Sequence, residues 1–313
     1  ALALEDDVEA RQEYGALRGE LNKRIGAGAF AFSDSEKFSY IRTGAEASLD
    51  WDFDTRIYAY TGAVFIAHDR DSEDVSPDSA DHDSAIEGRL GVERRFATRW
   101  KATAELGGRG WERADDRVLA RGVLEYAPDE NAVAALEVDH GDHLEHSYSL
   151  ESVQQGVGRT GGKLSYWRQL SRAWEGYGEV GGAWLSDSNG EVTMGGSVAW
   201  RPFPAVDVQI AMALDAMHYQ DLSPYYYSPD LDLGGTLSVM GRVPIHGALA
   251  FVFDAGGGAG FSQEQGASSF GPAYRAKVGL RWDRGRFSAA LDAARSQSVR
   301  ESSYTTHEAA LRL

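Results

Sequence analysis

The sequence predicts an all-β protein, a transmembrane antiparallel β-barrel of sixteen strands with a short N-terminal helix. Three observations predict this class. From Ile25 onward apolar and polar residues alternate with a period of two, no stretch of roughly 18 residues is both apolar and free of charge, and no linker interrupts the chain after residue 24. Because a barrel places apolar residues at every second position, a mean hydropathy of -0.40 is compatible with a membrane protein.

Residues 1–24 carry acids early and the bases Lys23 and Arg24 late, with Leu, Val and Ala at loose helical spacing. This charge order suits the dipole of a helix. The sequence therefore predicts two units: an N-terminal helical segment over residues 1–24 and a barrel over residues 25–313.

Strict alternation is clearest over residues 206–216 and 274–282, where one face is apolar and the other polar. Strands of about 9 to 14 residues, the length of a tilted membrane-spanning strand, are predicted along the whole barrel unit. They begin near residues 25, 39, 55, 85, 99, 116, 131, 160, 173, 191, 206, 231, 247, 272, 286 and 304.

Loop lengths fix the strand count, because outer-membrane barrels have short periplasmic turns and longer outer loops. Long connections are predicted at 68–84, 219–230 and 261–271. Short and long connections alternate along the chain only if residues 140–159 form one outer loop. The number of strands is then even, and it is sixteen, with both ends of the barrel unit on the periplasmic side. Short connections lie at Asp52–Thr55, Phe96–Thr98, Ala127–Asn131, Leu170–Ala173, Pro202–Ala205, Pro244–His246 and Asp283–Gly285.

Large aromatic residues lie next to these short turns, where they would mark the inner membrane interface. They are Trp51, Phe53, Trp100, Trp174, Trp200, Trp282 and Phe287. The alternative is the core of a soluble β-sandwich, which at this length would normally divide into two domains and show a boundary.

If the apolar face meets lipid, the alternate positions line the lumen, with seventeen acids against twelve bases. These charges either pair across neighbouring strands or form a track for a cationic or hydroxyl-rich ligand. An inward tyrosine would also give sugar rings a stacking surface. The residues predicted to contact such a ligand are Glu46, Asp50, Glu175, Tyr177, Glu179, Asp207, Asp215 and Asp254.

The outer loop at residues 68–84 is strongly acidic. Against Arg70 it carries Asp69, Asp71, Glu73, Asp74, Asp78, Asp81 and Asp83, a net -6 of the total -17. It lacks the glycine and the final carboxylate of a calcium loop, so a solvated acidic loop is the favoured interpretation.

No cofactor, metal site or catalytic residue is predicted. His140, His143 and His146 recur every three residues, but chance explains this spacing in a loop better than a metal site does. The chain has no Cys and contains no nucleophile elbow, Walker loop or HExxH motif. The net charge of -17 also argues against binding nucleic acid.

Two segments support a more specific interpretation. SPYYYSPDLDLGGTL, residues 223–237, resembles the aromatic-Ser/Asn-Pro element in the C-terminal barrels of bacterial exopolysaccharide exporters. WRPFPAVDVQIAM, residues 200–212, resembles the Trp-Arg-Pro periplasmic turn of those barrels and of related phage-adsorption receptors. The relevant exporters are those for Pel, poly-N-acetylglucosamine and cellulose.

The resemblance implies an outer-membrane porin that conducts a secreted polysaccharide during biofilm matrix export. It also implies periplasmic tetratricopeptide repeats before the barrel and a periplasmic lipoprotein ring as a partner. The acidic balance favours a polymer with free amines, hence Pel first and poly-N-acetylglucosamine second. An outer-membrane enzyme and a phage-receptor-like barrel are the alternatives.

Overall fold

The computed structural model describes residues 23–52, 54–69, 81–203, 207–284, 287–299 and 303–313. Within this part of the chain, sixteen antiparallel strands form a closed barrel in which each strand pairs with its sequence neighbours. They are β1 Lys23–Asp34, β2 Phe38–Asp50, β3 Thr55–His68, β4 His82–Arg95, β5 Trp100–Trp111, β6 Arg117–Asp129, β7 Ala132–Asp142, β8 Gly158–Gln169, β9 Trp174–Leu185, β10 Gly190–Trp200, β11 Val208–Tyr219, β12 Leu231–His246, β13 Leu249–Glu264, β14 Ala267–Arg284, β15 Phe287–Val299 and β16 Ser303–Arg312. Two short helices, α1 Leu144–Ser147 and α2 Leu150–Gln154, lie between β7 and β8.

The predicted fold class and strand count are confirmed. Pairing of β1 with β16, from Gly28 opposite Arg312 to Asp34 opposite Thr306, closes the sheet. β1 begins at Lys23, so Lys23 and Arg24 are strand residues, whereas the rest of the predicted N-terminal helix lies outside the described residues. No helix in the described ranges is long and apolar enough to cross a membrane.

The outward surface is apolar because alternate residues of each strand share one face. Leu90 pairs with Leu106 across β4 and β5, and Leu136 pairs with Leu164 across β7 and β8. All four residues are at least half exposed, with exposed fractions of 68%, 63%, 50% and 54% in that order. Such a band on a closed sheet is the lipid-facing wall of a membrane barrel.

An aromatic girdle marks the end of the barrel that carries the short turns. Trp51, Trp100, Trp174, Trp200, Trp282 and Phe287 are all substantially exposed there. Trp174 and Trp200 stack with ring centroids 5.9 Å apart. Phe53 of the predicted girdle lies outside the described residues. Because aromatic rings concentrate at membrane interfaces, this end marks one boundary of the apolar band.

The long loop predicted at 261–271 is wrong. β13 continues to Glu264 and β14 begins at Ala267, so only Gln265 and Gly266 connect them. Both have positive φ, 51° and 79°, as a primed two-residue hairpin turn requires. The Gln-Gly pair therefore extends the hairpin where a longer loop was expected.

Replacing Gly266 tests this turn. Gly266→Ala should lower the free energy of unfolding by about 1–2 kcal/mol, because a Cβ is unfavourable in the left-handed region. Gly257→Ala is the matched control, since its Cβ would meet only the Ala273 carbonyl oxygen, at 4.0 Å. Denaturant unfolding in lipid vesicles measures both, and equal effects would contradict the turn assignment.

Candidate functional site: the lumen and outer mouth

A network of ion pairs covers the lumen face of one wall. At its centre the Glu87 carboxylate accepts hydrogen bonds from Arg42 at 2.6 Å and Arg109 at 2.8 Å. Arg109 also binds Asp142 at 2.7 Å, and the side chains of Arg109 and Glu87 are 1% and 0% exposed. Because a buried charge without a partner is costly, these groups hold one another in a fixed arrangement.

The network continues around the wall from β6 to β10. Arg121 binds Glu137 at 2.6 Å, and Arg159 bridges Asp139 at 2.6 Å and Glu191 at 3.3 Å. This wall borders a cavity of about 460 Å³ within the lumen. Its charges neutralise one another at short range. This agrees with the interpretation that the lumen charges pair across neighbouring strands.

A second, smaller charge cluster lies near the seam of the barrel, where β1 pairs with β16. Asp292 on β15 is buried and binds Arg281 at 2.8 Å, Arg312 at 3.1 Å and Lys277 at 3.9 Å. A lumen cavity of about 340 Å³ adjoins this cluster. Three bases thus surround one acid on this side.

Four of the eight predicted contact residues are held in ion pairs. Asp50 binds Arg56 at 3.0 Å, Glu175 binds Arg201 at 3.3 Å, Glu179 binds Lys163 at 3.5 Å, and Asp254 binds Arg275 at 2.7 Å. Their neighbours Lys163 and Arg275 also face the lumen. These carboxylates are therefore locally neutralised.

The other four differ from these in their surroundings. The Tyr177 hydroxyl donates a hydrogen bond to Glu179. Asp207 precedes β11, and its carbonyl accepts a hydrogen bond from the Arg242 backbone. Within the described part of the chain, the carboxylates of Asp215 and Glu46 form no hydrogen bond or ion pair. The eight residues are spread around the barrel, and whether they contact a ligand stays a prediction.

The acidic loop is only partly described. Asp71, Glu73, Asp74 and Asp78 lie outside the described residues. Asp81 is exposed, and its hydrogen bond with His82, 2.8 Å long, lowers the pKa of the Asp81 carboxyl.

Asp83 was predicted in the same solvated loop, and that prediction is wrong. It is a fully buried residue of β4. Its carboxylate accepts hydrogen bonds from the backbone of Arg113 at 3.2 Å and Ala114 at 3.1 Å. Asp83 therefore holds the β5–β6 loop in place.

The connection from β7 to β8 folds against the inner wall at the outer mouth. Leu144, Leu150 and Val153 of α1 and α2 are buried against an apolar patch on β1 to β5. Tyr148, between the helices, stacks on Phe32 with centroids 4.3 Å apart. The patch residues are Phe32, Phe38, Tyr40, Val64, Ile66, Ala85 and Trp111.

The prediction of one outer loop at 140–159 is therefore confirmed, but its inward packing was missed. The available signal was the run Val64-Phe65-Ile66, in which apolar residues occupy both faces of β3. Phe65 is 42% exposed on the lipid side, whereas Val64 and Ile66 are buried in the mouth.

The 220–230 loop covers the opposite side of the same mouth. Tyr226 packs with Val157, Leu185 and Tyr219. Its hydroxyl accepts a hydrogen bond from Asn189 at 3.0 Å and donates one to Asp187 at 2.9 Å. Burial raises the pKa of Tyr226 to about 12.

The two loops also contact each other, because the Ser149 hydroxyl donates a hydrogen bond to the Tyr225 carbonyl. Ser228 and Pro229 of the tyrosine-rich segment are buried, and the Ser228 hydroxyl oxygen accepts from the Ser223 backbone at 2.6 Å. The segment that resembles the exporter element thus builds part of the mouth.

His143 lies where the two loops meet. Its imidazole is fully buried and packs edge-on against Tyr226 with centroids 4.6 Å apart. Neither ring nitrogen has a hydrogen-bond partner among the described residues. Burial, with smaller contributions from His146 and Arg159, lowers the pKa of His143 to about 3. The imidazole is therefore neutral at neutral pH.

The three histidines do not converge. His140 is exposed on β7 and bonds Thr160 at 2.8 Å, whereas His143 is buried and stacks at 6.1 Å from His146. Within the described ranges, no group of three or more His, Cys, Asp or Glu side chains is arranged to hold a metal ion.

Comparison with solved structures identifies the class of protein. The chain is similar to a structure described as a bacterial polysaccharide outer membrane secretin, with a TM-score of 0.67 and 13% identity over 92% of this chain and 98% of that one. It is also similar to CdiB from Acinetobacter baumannii, with a TM-score of 0.53 and 8% identity over 92% of this chain and 60% of that one. No protein-family model and no curated protein matches the sequence.

At these identities the likeness establishes the fold. Together with the apolar outer band and the aromatic girdle, it defines a β-barrel of the bacterial outer membrane. The short-turn end is the periplasmic end, and the 143–157 and 220–230 loops lie at the outer mouth.

Arg109→Met tests the ion-pair network. It should lower the free energy of unfolding by about 3 kcal/mol, because it leaves Glu87 and Asp142 buried with less compensation. Arg275→Met is the control, since the Arg275 side chain is 52% exposed in its pair with Asp254 and should cost under about 1 kcal/mol. Denaturant unfolding in vesicles compares them, and a larger loss for Arg275→Met would refute the assignment.

Acid should loosen the outer mouth. The folded state favours neutral His143, so its contribution is complete above the ordinary pKa of 6.5 and declines as pH falls from 6.5 towards 3. At pH 5 the loss is about 2 kcal/mol.

Hydrogen exchange of residues 144–157 at pH 7 and 5, corrected for intrinsic rates, measures this effect. His143→Phe should remove the acid-induced increase, and the control His140→Phe should retain it. An increase of equal size in both variants would rule out His143 as its source.

Proposed function

We propose that the protein is a passive outer-membrane conduit for a secreted exopolysaccharide bearing free amino groups, and that it makes and breaks no covalent bond. A sixteen-stranded barrel is wide enough to leave an aqueous channel. A hydrated sugar chain would cross it by exchanging water for side-chain hydrogen bonds.

The main observation that supports this proposal is a strip of small side chains on the lumen face of β11 to β14. Asp215 faces Gly234 across β11 and β12, and the register continues through Gly260 to Gly271. At Gly234 an added Cβ would lie 2.5 Å from an Asp215 carboxylate oxygen, so a larger residue there would displace the Asp215 side chain. The strip consists of Ala211, Ala213, Gly234, Thr236, Ser238, Gly256, Gly258, Gly260, Gly271 and Ala273.

This strip contrasts with the opposite wall, where long charged side chains fill the lumen face. Small residues leave room for a passing polymer, and Asp215 supplies a carboxylate that no described base neutralises. An amino group on the polymer would therefore be attracted to the strip more than to the paired acids elsewhere. Glu46, also without a partner among the described residues, would add to this attraction.

The remaining predicted contacts fit secondary roles. Tyr177 offers a ring for sugar stacking. Asp50, Glu175, Glu179 and Asp254 would contact the chain by exchanging their present ion pairs, and Asp207 would contact it near the start of β11. Exposed acids at the outer mouth, Asp69 and Asp81 among them, would favour exit of a cationic polymer.

Two further observations support the proposal. A solved structure similar in fold is described as a polysaccharide secretin, and the chain's own segments resemble exopolysaccharide exporters. β1 enters from the periplasmic end, so a preceding tetratricopeptide array and a lipoprotein ring would lie in the periplasm. Biofilm matrix export, with Pel as the first candidate polymer, follows from the same resemblance.

Asp215→Asn tests the electrostatic part of this proposal. In proteoliposomes at low salt it should reduce the flux of glucosamine oligosaccharides about fivefold, the effect of losing roughly 1 kcal/mol of Coulomb attraction. Flux of N-acetylated oligosaccharides should not change. Asp129→Asn is the control, because it removes the same charge at an exposed periplasmic turn.

Equal loss for charged and neutral sugars would argue against charge recognition. In cells, deletion of the gene should abolish the surface display of one secreted polymer, identified by its sugar composition. Unchanged display of every polymer would refute the conduit itself.

A further inference from the structure

The lipid-facing band is much shorter at the barrel seam than beside it. On β14 the apolar and aromatic outward residues extend from Trp282 to Phe270, about 30 Å of height at a strand tilt of roughly 40°. On β15 they extend only from Phe287 to Ala293, about 15 Å by the same arithmetic. Two adjacent strands therefore present different apolar heights to one bilayer.

Two basic side chains end the short band. Arg295 on β15 lies directly opposite His307 on β16. Both share the outward face of Leu291 and Leu311, because they lie an even number of residues from that pair. Both are exposed, and within the described part of the chain neither forms a hydrogen bond or ion pair.

Arg295 lies within the membrane. It follows Ala289, the partner of Trp282 in the inner girdle, by six residues. Six residues correspond to about 15 Å of height in an apolar band about 25 Å tall. Its Cα is therefore in the outer leaflet, below the outer interface.

A guanidinium at this depth needs an anion. It remains charged in proteins, and a lipid-facing charge is costly unless it reaches a polar group. No described carboxylate supplies one, so the partner belongs to the membrane. Phosphate suits Arg particularly well, because its oxygens accept two parallel N–H bonds.

The surroundings suit a whole lipid. Gln297 and Thr305 pair with each other directly above the two bases and offer further hydrogen bonds. Below them the outward residues are small, with Ala293 opposite Ala309 and Ala309 opposite Ala31. A small-residue surface leaves room for acyl chains beneath a headgroup held by the bases.

We infer that Arg295 and His307, with Gln297 and Thr305, form a binding site for a phosphate group of lipid A, the phosphorylated glycolipid of the outer leaflet. Its acyl chains lie along the small residues of β15, β16 and β1. The site compensates the short apolar band at the seam, and it does not depend on what crosses the lumen.

Native mass spectrometry of the full chain in detergent tests this site. The wild type, titrated with diphosphoryl lipid A, should retain one copy about tenfold more tightly than the Arg295→Leu/His307→Leu variant does. Arg295→Lys should retain only part of the affinity, because it keeps the charge but loses the two parallel N–H bonds. Arg168→Leu is the matched control, since Arg168 is an exposed outward arginine near the periplasmic end of β8.

The same titration distinguishes the alternatives. Dephosphorylated lipid A should bind the wild type no better than it binds the double variant, a comparison that holds even if one variant folds poorly. Equal retention of diphosphoryl lipid A by wild type and double variant would overturn the site. So would equally tight binding of phosphatidylglycerol to the wild type, or a change in oligomeric state in place of lipid loss.

Discussion

Closure of the sheet is the constraint on which the rest of this structure depends. In a bilayer every backbone N–H and C=O must find a partner within the protein, so a spanning sheet cannot keep an open edge. Pairing of β1 with β16, through residues 28–34 and 306–312, removes that edge. It also separates each strand into a lipid face and a lumen face, and this separation explains why an acidic chain of moderate hydropathy is a membrane protein.

Strand pairing and the curvature of the closed sheet bring together charges that are distant in sequence. Glu87 and Arg109 face each other across β4 and β5, and Asp142 at the end of β7 joins them in one buried group. The opposite wall receives glycine, alanine and serine at equivalent inward positions, so the lumen is rigid and charged on one side and open on the other. The proposed polymer path follows from this asymmetry and from the Asp215 carboxylate, which no base in the described part of the chain neutralises. A count of lumen acids and bases does not reveal it, because pairing decides which charges remain available.

The outer mouth adds a second level of organisation. Loops 143–157 and 220–230 fill it by burying apolar side chains against the inner wall, where a solvated lumen would have polar residues. His143, with two buried ring nitrogens and no described partner for either, makes that packing sensitive to acid. An exported polymer would have to displace these loops to leave the proposed conduit.

The sequence by itself determined the fold class, the strand number and the position of the aromatic girdle, because a period of two and the alternation of turn lengths are local properties of the chain. It misjudged the Gln265-Gly266 turn and Asp83, where backbone dihedrals and a distant loop decide the outcome. Which lumen acids are neutralised, how the mouth is filled and where Arg295 lies in the bilayer were decided only by the tertiary structure. Strand register and barrel closure set distances between residues far apart in sequence, and electrostatic and packing energies depend on those distances.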